Sequence, residues 1–127
     1  MTKIKIGIFI FVFLFSSFLI SCFNTSSQNE TENYRLYPTK NMWTFIELDT
    51  VTGKMWQIQY VLEGDNRGGV VLHEQDLLEG RKMIPGRFTL YETQNMYNFI
   101  LHDQIEGRTW QAQWSMEEKN RGIIRIY

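Results

Sequence analysis

NMWTFIELDTVTGKMWQIQY, residues 41–60, is restated later in the chain as NMYNFILHDQIEGRTWQAQW, residues 95–114. The intervals between Asn, Phe, Asp, Gly, Trp and the two Gln are the same in both stretches. Working outward, residues 34–73 align on 88–127 at a constant offset of 54 without a gap, and sixteen of the forty positions are identical. Other positions exchange like for like: Trp43 with Tyr97, Lys54 with Arg108, Tyr60 with Trp114. A gapless register of that length marks a duplicated structural unit, its two copies joined through residues 74–87.

Each copy reads as four strands. The first is short, 34–37 and 88–91. The second, 42–48 and 96–102, is apolar on both faces, as suits a strand covered on both sides. An Asp-led, Gly-ended turn follows it: Asp bonds its own backbone at the turn start and Gly supplies positive φ near the end. The third strand alternates strictly. Trp56, Ile58 and Tyr60 oppose Met55, Gln57 and Gln59, and Trp110, Ala112 and Trp114 oppose Thr109, Gln111 and Gln113. Such alternation predicts a half-buried strand, with the Trp side in the core and the Gln side in solvent in both copies. A second loop carries Asn66-Arg67-Gly68 and Asn120-Arg121-Gly122, and the fourth strand runs over 69–73 and 123–127. No stretch keeps a helical period. Residues 75–80 allow one turn before Pro85 stops anything longer.

Eight strands in two hairpin-connected units predict an all-β domain: an eight-stranded barrel or a sandwich with pseudo-twofold symmetry. The alternative is a pair of propeller blades. Two blades cannot close a ring alone, so that reading demands oligomerisation, for instance three chains making six blades. A core closed within one chain predicts a monomer.

The chain opens differently. Lys3 and Lys5 precede an uncharged apolar run over 6–20, which is short of the ~20 residues that span a bilayer and suits a secretory signal. It ends in Leu19-Ile20-Ser21-Cys22, which resembles the bacterial lipobox. The resemblance implies a lipoprotein signal peptide over 1–21, cut before Cys22, with a diacylglycerol on the Cys22 thiol and a third acyl chain beside it. That meets the two-signal rule for stable membrane attachment. Residues 22–33 then form a polar tether with nothing to bury. By analogy with enterobacterial sorting, the lack of Asp after Cys22 points to the outer membrane, facing periplasm or exterior.

The domain, 34–127, holds eleven Lys/Arg and twelve Asp/Glu of interspersed sign. No basic stripe exists to meet phosphates, which argues against a nucleic-acid partner. Cys22 is the only cysteine, so neither an intrachain disulfide nor a thiolate-rich metal site can form. His73 and His102 occupy non-equivalent positions of the repeat, against a metal site shared by both. Ser115, the single Ser of the domain, lies in no nucleophile elbow. Asp49 and Asp103 sit where turns want Asp, and Glu63 and Glu117 flank loops. The expectation is no catalytic residue, no metal and no cofactor.

What recurs is polar. Gln57, Gln59, Asn66 and Arg67 return as Gln111, Gln113, Asn120 and Arg121. Amide donors and acceptors beside a guanidinium suit a polyhydroxylated or carboxylate-bearing ligand, and Trp43 or Tyr97 would supply a stacking surface. The repeated N-M-[WY]-x-F-I…D…G-[KR]-x-W-Q-x-Q-[WY] pattern is similar to small uncharacterised lipoproteins of Bacteroidetes. The resemblance implies no activity and assigns no site residues. The leading expectation is a lipid-anchored, non-enzymatic binding domain at the envelope. A carbohydrate-binding module, or an inhibitor or immunity protein for a secreted enzyme or toxin, stands beside it.

Overall fold

The computed structural model describes residues 32–127; the expected signal peptide, Cys22 and the expected tether as far as residue 31 lie outside the described residues. The fold is all-β, in two antiparallel four-stranded sheets that do not close into a barrel and that pack as a sandwich does. The first sheet is a meander of β1 (Tyr34–Pro38), β2 (Thr44–Asp49), β3 (Met55–Gln59) and β4 (Gly68–His73). The second repeats it as β5 (Phe88–Glu92), β6 (Asn98–Asp103), β7 (Thr109–Gln113) and β8 (Gly122–Ile126). Among the described residues no helix is long and apolar enough to cross a membrane.

The turn chemistry is as read from the sequence. Asp49 Oδ1 accepts from the amides of Val51 and Thr52 at 2.9 and 3.2 Å, and Asp103 Oδ1 accepts from Ile105 and Glu106 at 3.0 and 3.3 Å. Gly53 and Gly107 close these turns at φ of 80° and 72°, where a Cβ is strained. The turn before each second strand was missed. Asn41 Oδ1 accepts from Trp43 N and Asn95 Oδ1 from Tyr97 N, both at 2.9 Å, so β2 and β6 begin two residues later than expected. Residues 75–80 form no helical turn. Among the described residues the one short helix is a 3-10 turn, Glu118–Asn120, in the second loop. Its counterpart in the first copy contains Gly64 at φ 82°, a conformation that breaks such a turn.

The two sheets do not use equivalent faces. In the first sheet the core takes Thr44, Ile46 and Leu48 from β2 with Met55 and Gln57 from β3. In the second it takes Phe99 and Leu101 from β6 with Trp110 and Ala112 from β7, and Trp114 just beyond. Subtracting the offset shows that Ile46 corresponds to Ile100 and Gln57 to Gln111, both outside the core, while Phe45 and Trp56 correspond to the buried Phe99 and Trp110. A twofold axis would carry the same face of each copy into the contact. Here one copy offers its Trp face and the other its Gln face, so the copies stand head to tail. The expectation of a buried Trp side therefore holds in the second copy and is reversed in the first. Bulky rings on one side fit against aliphatic and amide side chains on the other, which fills the gap between stacked sheets.

The linker closes one end of this core with Leu77 and Leu78, both buried. Leu77 N donates to Thr52 O at 2.8 Å, and Leu77 packs so tightly on Gly53 that a Cβ there would stand 2.8 Å from its Cδ1. The first strands of the two sheets, β1 and β5, and the loops after them are tied together. Tyr37 Oη and Thr89 Oγ1 share a hydrogen bond of 3.0 Å, and Lys40 Nζ donates to the carbonyls of Thr93 and Gln94 at 3.1 and 2.9 Å.

Candidate functional site

The last strands of the two sheets, β4 and β8, come near each other. Between them lies a cleft of about 690 Å³ lined by Leu72, His73, Trp110, Arg121 and Arg125, with Glu74 and Glu118 also on its wall. That volume falls within the ~300–1,000 Å³ of small-molecule sites.

Local structure sets each polar group. His73 ends β4 at a break in register opposite Met55 and Trp56, a bulge the second copy lacks. The bulge turns the end of the strand into the cleft mouth. Arg121 follows the 3-10 turn, its amide donating to Glu118 O at 3.0 Å. Arg125 sits opposite Trp110 in the β7–β8 ladder, its guanidinium 4.6 Å from the indole centroid, and donates to Thr109 O at 2.8 Å. The aromatic face holds that cation in place.

Two of these groups are incompletely bonded. Arg121 Nε and His73 Nε2 are buried without a hydrogen-bond partner among the described residues. Among the described residues, neither Arg121 nor Arg125 has a carboxylate within 4.0 Å, whereas Arg87 and Arg108 both clamp Asp103. Burial lowers the His73 pKa from its ordinary value against the raising effects of a backbone bond at Gln75 and the charge of Glu74. The imidazole is therefore neutral at neutral pH and can accept or donate. Two uncompensated guanidiniums and a neutral imidazole around one cleft suit a carboxylate with adjoining hydroxyls.

The residues singled out from sequence fall in two equivalent grooves. Gln57, Gln59, Asn66 and Arg67 line one of about 510 Å³, and Gln111, Gln113, Asn120 and Arg121 line one of about 310 Å³. Gln57 must be corrected: it is only 3 % exposed, its Oε1 accepting from Ser115 N at 3.3 Å and its Nε2 lying 3.7 Å from Met116 Sδ. It joins the two copies rather than facing solvent. Arg67 is turned back on its own loop, donating to Gly64 O at 3.0 Å. Gln111 donates to Asn98 Oδ1 at 2.7 Å and Gln113 to Asn120 O at 2.9 Å. Trp43 and Tyr97 are not brought to the grooves; they pack on Tyr60 and Trp114, with centroids 5.4 and 5.1 Å apart. Of the expected set, Arg121 alone reaches the large cleft.

His73 and Arg125 were missed. His73 looked solitary because its counterpart is Tyr127, and Arg125 because its counterpart is Val71. That failure to repeat was the available signal, since β4 and β8 are counterparts that meet through unlike faces, and a site between them need not obey the duplication. Among the described residues no group of three or more His, Cys, Asp or Glu stands close enough to hold a metal ion. Asp49 and Asp103 are committed to their turns. A scan against family models and searches of curated proteins and of solved structures find no match to this chain.

Proposed function

We propose that this chain is a lipid-anchored envelope protein, tethered at the outer membrane through Cys22. Its domain binds, without turning over, a carboxylate-bearing polyhydroxylated ligand in the cleft between β4 and β8. The observation that carries this reading is that Arg121 Nε and His73 Nε2, both buried and unpartnered, line one concavity with Arg125. Buried polar atoms left without partners are costly, and a ligand that supplies the missing bonds gains by the difference.

The test is calorimetric titration of the protein with oligogalacturonide, a polymer of hydroxyls and carboxylates, against its methyl-esterified form. The reading expects saturable binding of the acid form alone, and at least a tenfold loss on Arg121→Gln. Equal affinity for acid and ester, or none for either, removes the anion-binding reading. Cys22→Ala tests the anchor separately, since it should release the protein from the membrane fraction.

A further inference from the structure

The contact inside the chain uses one face of each sheet and leaves the other two free. Those two are the counterparts of the faces already joined. The outer face of the first sheet presents Leu36, Phe45, Trp56, Ile58 and Tyr60, and the same positions of the second sheet are Leu90, Phe99, Trp110, Ala112 and Trp114, all in the core. Leu36 is 56 % exposed and Leu90 5 %. The outer face of the second sheet presents Tyr91, Ile100 and Gln111, whose counterparts Tyr37, Ile46 and Gln57 pack in or against the core.

We infer that copies of this chain associate head to tail, the outer face of the first sheet of one copy packing on the outer face of the second sheet of the next. The contact between copies then repeats the contact within each chain, so its geometry is already built. Continuity with that interface identifies the occupant as a second copy rather than an unrelated protein. The differences between the faces are themselves complementary. At the centre of the internal core stand Leu48 and Leu101, each 0 % exposed. Their counterparts on the free faces are His102 and Glu47, an imidazole on one and a carboxylate on the other. An acid–imidazole contact there joins unlike faces and disfavours two copies of the same face meeting.

A loop contact carries over as well. Gln57 is held by Ser115 N and Met116 Sδ of the second copy of the repeat. The counterpart of Gln57 is the exposed Gln111, and those of Ser115 and Met116 are Val61 and Leu62, the latter 78 % exposed. In the assembly Leu62 of one chain caps Gln111 of its neighbour and completes the groove containing Gln113 and Arg121, as Met116 already bounds the groove of Gln59 and Arg67. The β4–β8 cleft lies between sheets of one chain and shares only Arg121, Gly122 and Ile123 with this groove.

A head-to-tail contact gives either a ring or a filament. The sheets are tied at β1 and β5 by the Tyr37–Thr89 bond, and β4 also comes near β8 beside the cleft. A ring with the typical 4–8 blades of a propeller corresponds to roughly two to four copies. This inferred assembly is the alternative to the monomer expected from a core closed within one chain.

The experiment is native mass spectrometry of the full chain released from mild detergent, with far-UV circular dichroism as the check on folding. The wild type should show one discrete oligomer. Leu36→Arg on the first face and Gln111→Arg on the second should each give monomers with unchanged dichroism. Tyr34→Arg and Tyr91→Arg, also at exposed positions, should do the same independently. Mixing Leu36→Arg with Gln111→Arg should restore a single 1:1 pair, since each retains the face the other needs. A monomeric wild type at tens of micromolar overturns the inference. So does association that survives either substitution, as like faces would allow; an open-ended series of masses that is lost on each substitution supports the same contact propagating as a filament.

Discussion

Asp103 shows what a single residue does in this fold. Its turn role is legible from the sequence, because Asp and Gly recur at the same spacing in both copies. Its second role is not. Arg87 Nε and Nη2 donate to its two carboxylate oxygens at 3.0 Å each, and Arg108 Nε donates at 2.9 Å. The counterparts of those arginines are Asn33 and Lys54, so nothing in the repeat announces the clamp. Burial alone would raise the Asp103 pKa, but the bonds from Arg87 and Arg108 outweigh it and hold the carboxyl at about 2, against 3.8 ordinarily. A depressed folded-state pKa means that the stabilisation is complete above about pH 4 and is lost as pH falls towards 2. The difference corresponds to about 2 kcal/mol. Asp103→Asn should cost about 3–5 kcal/mol at neutral pH, because it leaves two buried guanidiniums unpaired. Urea melts at pH 5 and pH 2 check both points: the gap between wild type and variant should shrink by about 2 kcal/mol in acid. A gap that is independent of pH would mean that the carboxylate is not held by the arginines.

At the scale of elements, strands and hairpins were largely readable, since period-two alternation and Asp…Gly turns are local signals. The choice of face was not readable from one copy, because Trp-x-Ile-x-Tyr and Met-x-Gln-x-Gln are both plausible inner sides. Setting the copies against each other holds the missing signal. On one face Leu48 and Met55 become His102 and Thr109; on the other Glu47 becomes Leu101. Each face is the more apolar in the copy that buries it. The cleft was unreadable for a different reason: β4 and β8 are counterparts but differ where the cleft forms, His73 matching Tyr127 and Arg125 matching Val71. The linker's grip on the first turn gives an element-scale test. Gly107→Ala meets open space at φ 72° and should cost about 1 kcal/mol. Gly53→Ala carries the same backbone strain and also collides with Leu77, so it should cost clearly more. Adding Leu77→Ala should remove that excess in a double-mutant cycle. Equal costs for the two glycines would mean that the linker does not seat on the turn.

For the molecule as a whole, a duplicated unit has been used asymmetrically. Each sheet buries the face its twin leaves out, and neither core face is complete without the other. A fragment of residues 34–73 should therefore show no cooperative melt, being also near the size at which a single core fails. The most direct test of the head-to-tail packing is one set of urea melts on four variants. Each is made in the Leu36→Arg chain so that contacts between copies add nothing. Trp110→Ala and Gln57→Glu, at buried positions, should each cost about 3 kcal/mol or more. Their counterparts Trp56→Ala and Gln111→Glu, on the outer faces, should each cost about 1 kcal/mol or less. That crossed pattern is the predicted result. Two costly Trp variants beside two harmless Gln variants would put the same face of both copies in the core and contradict the account.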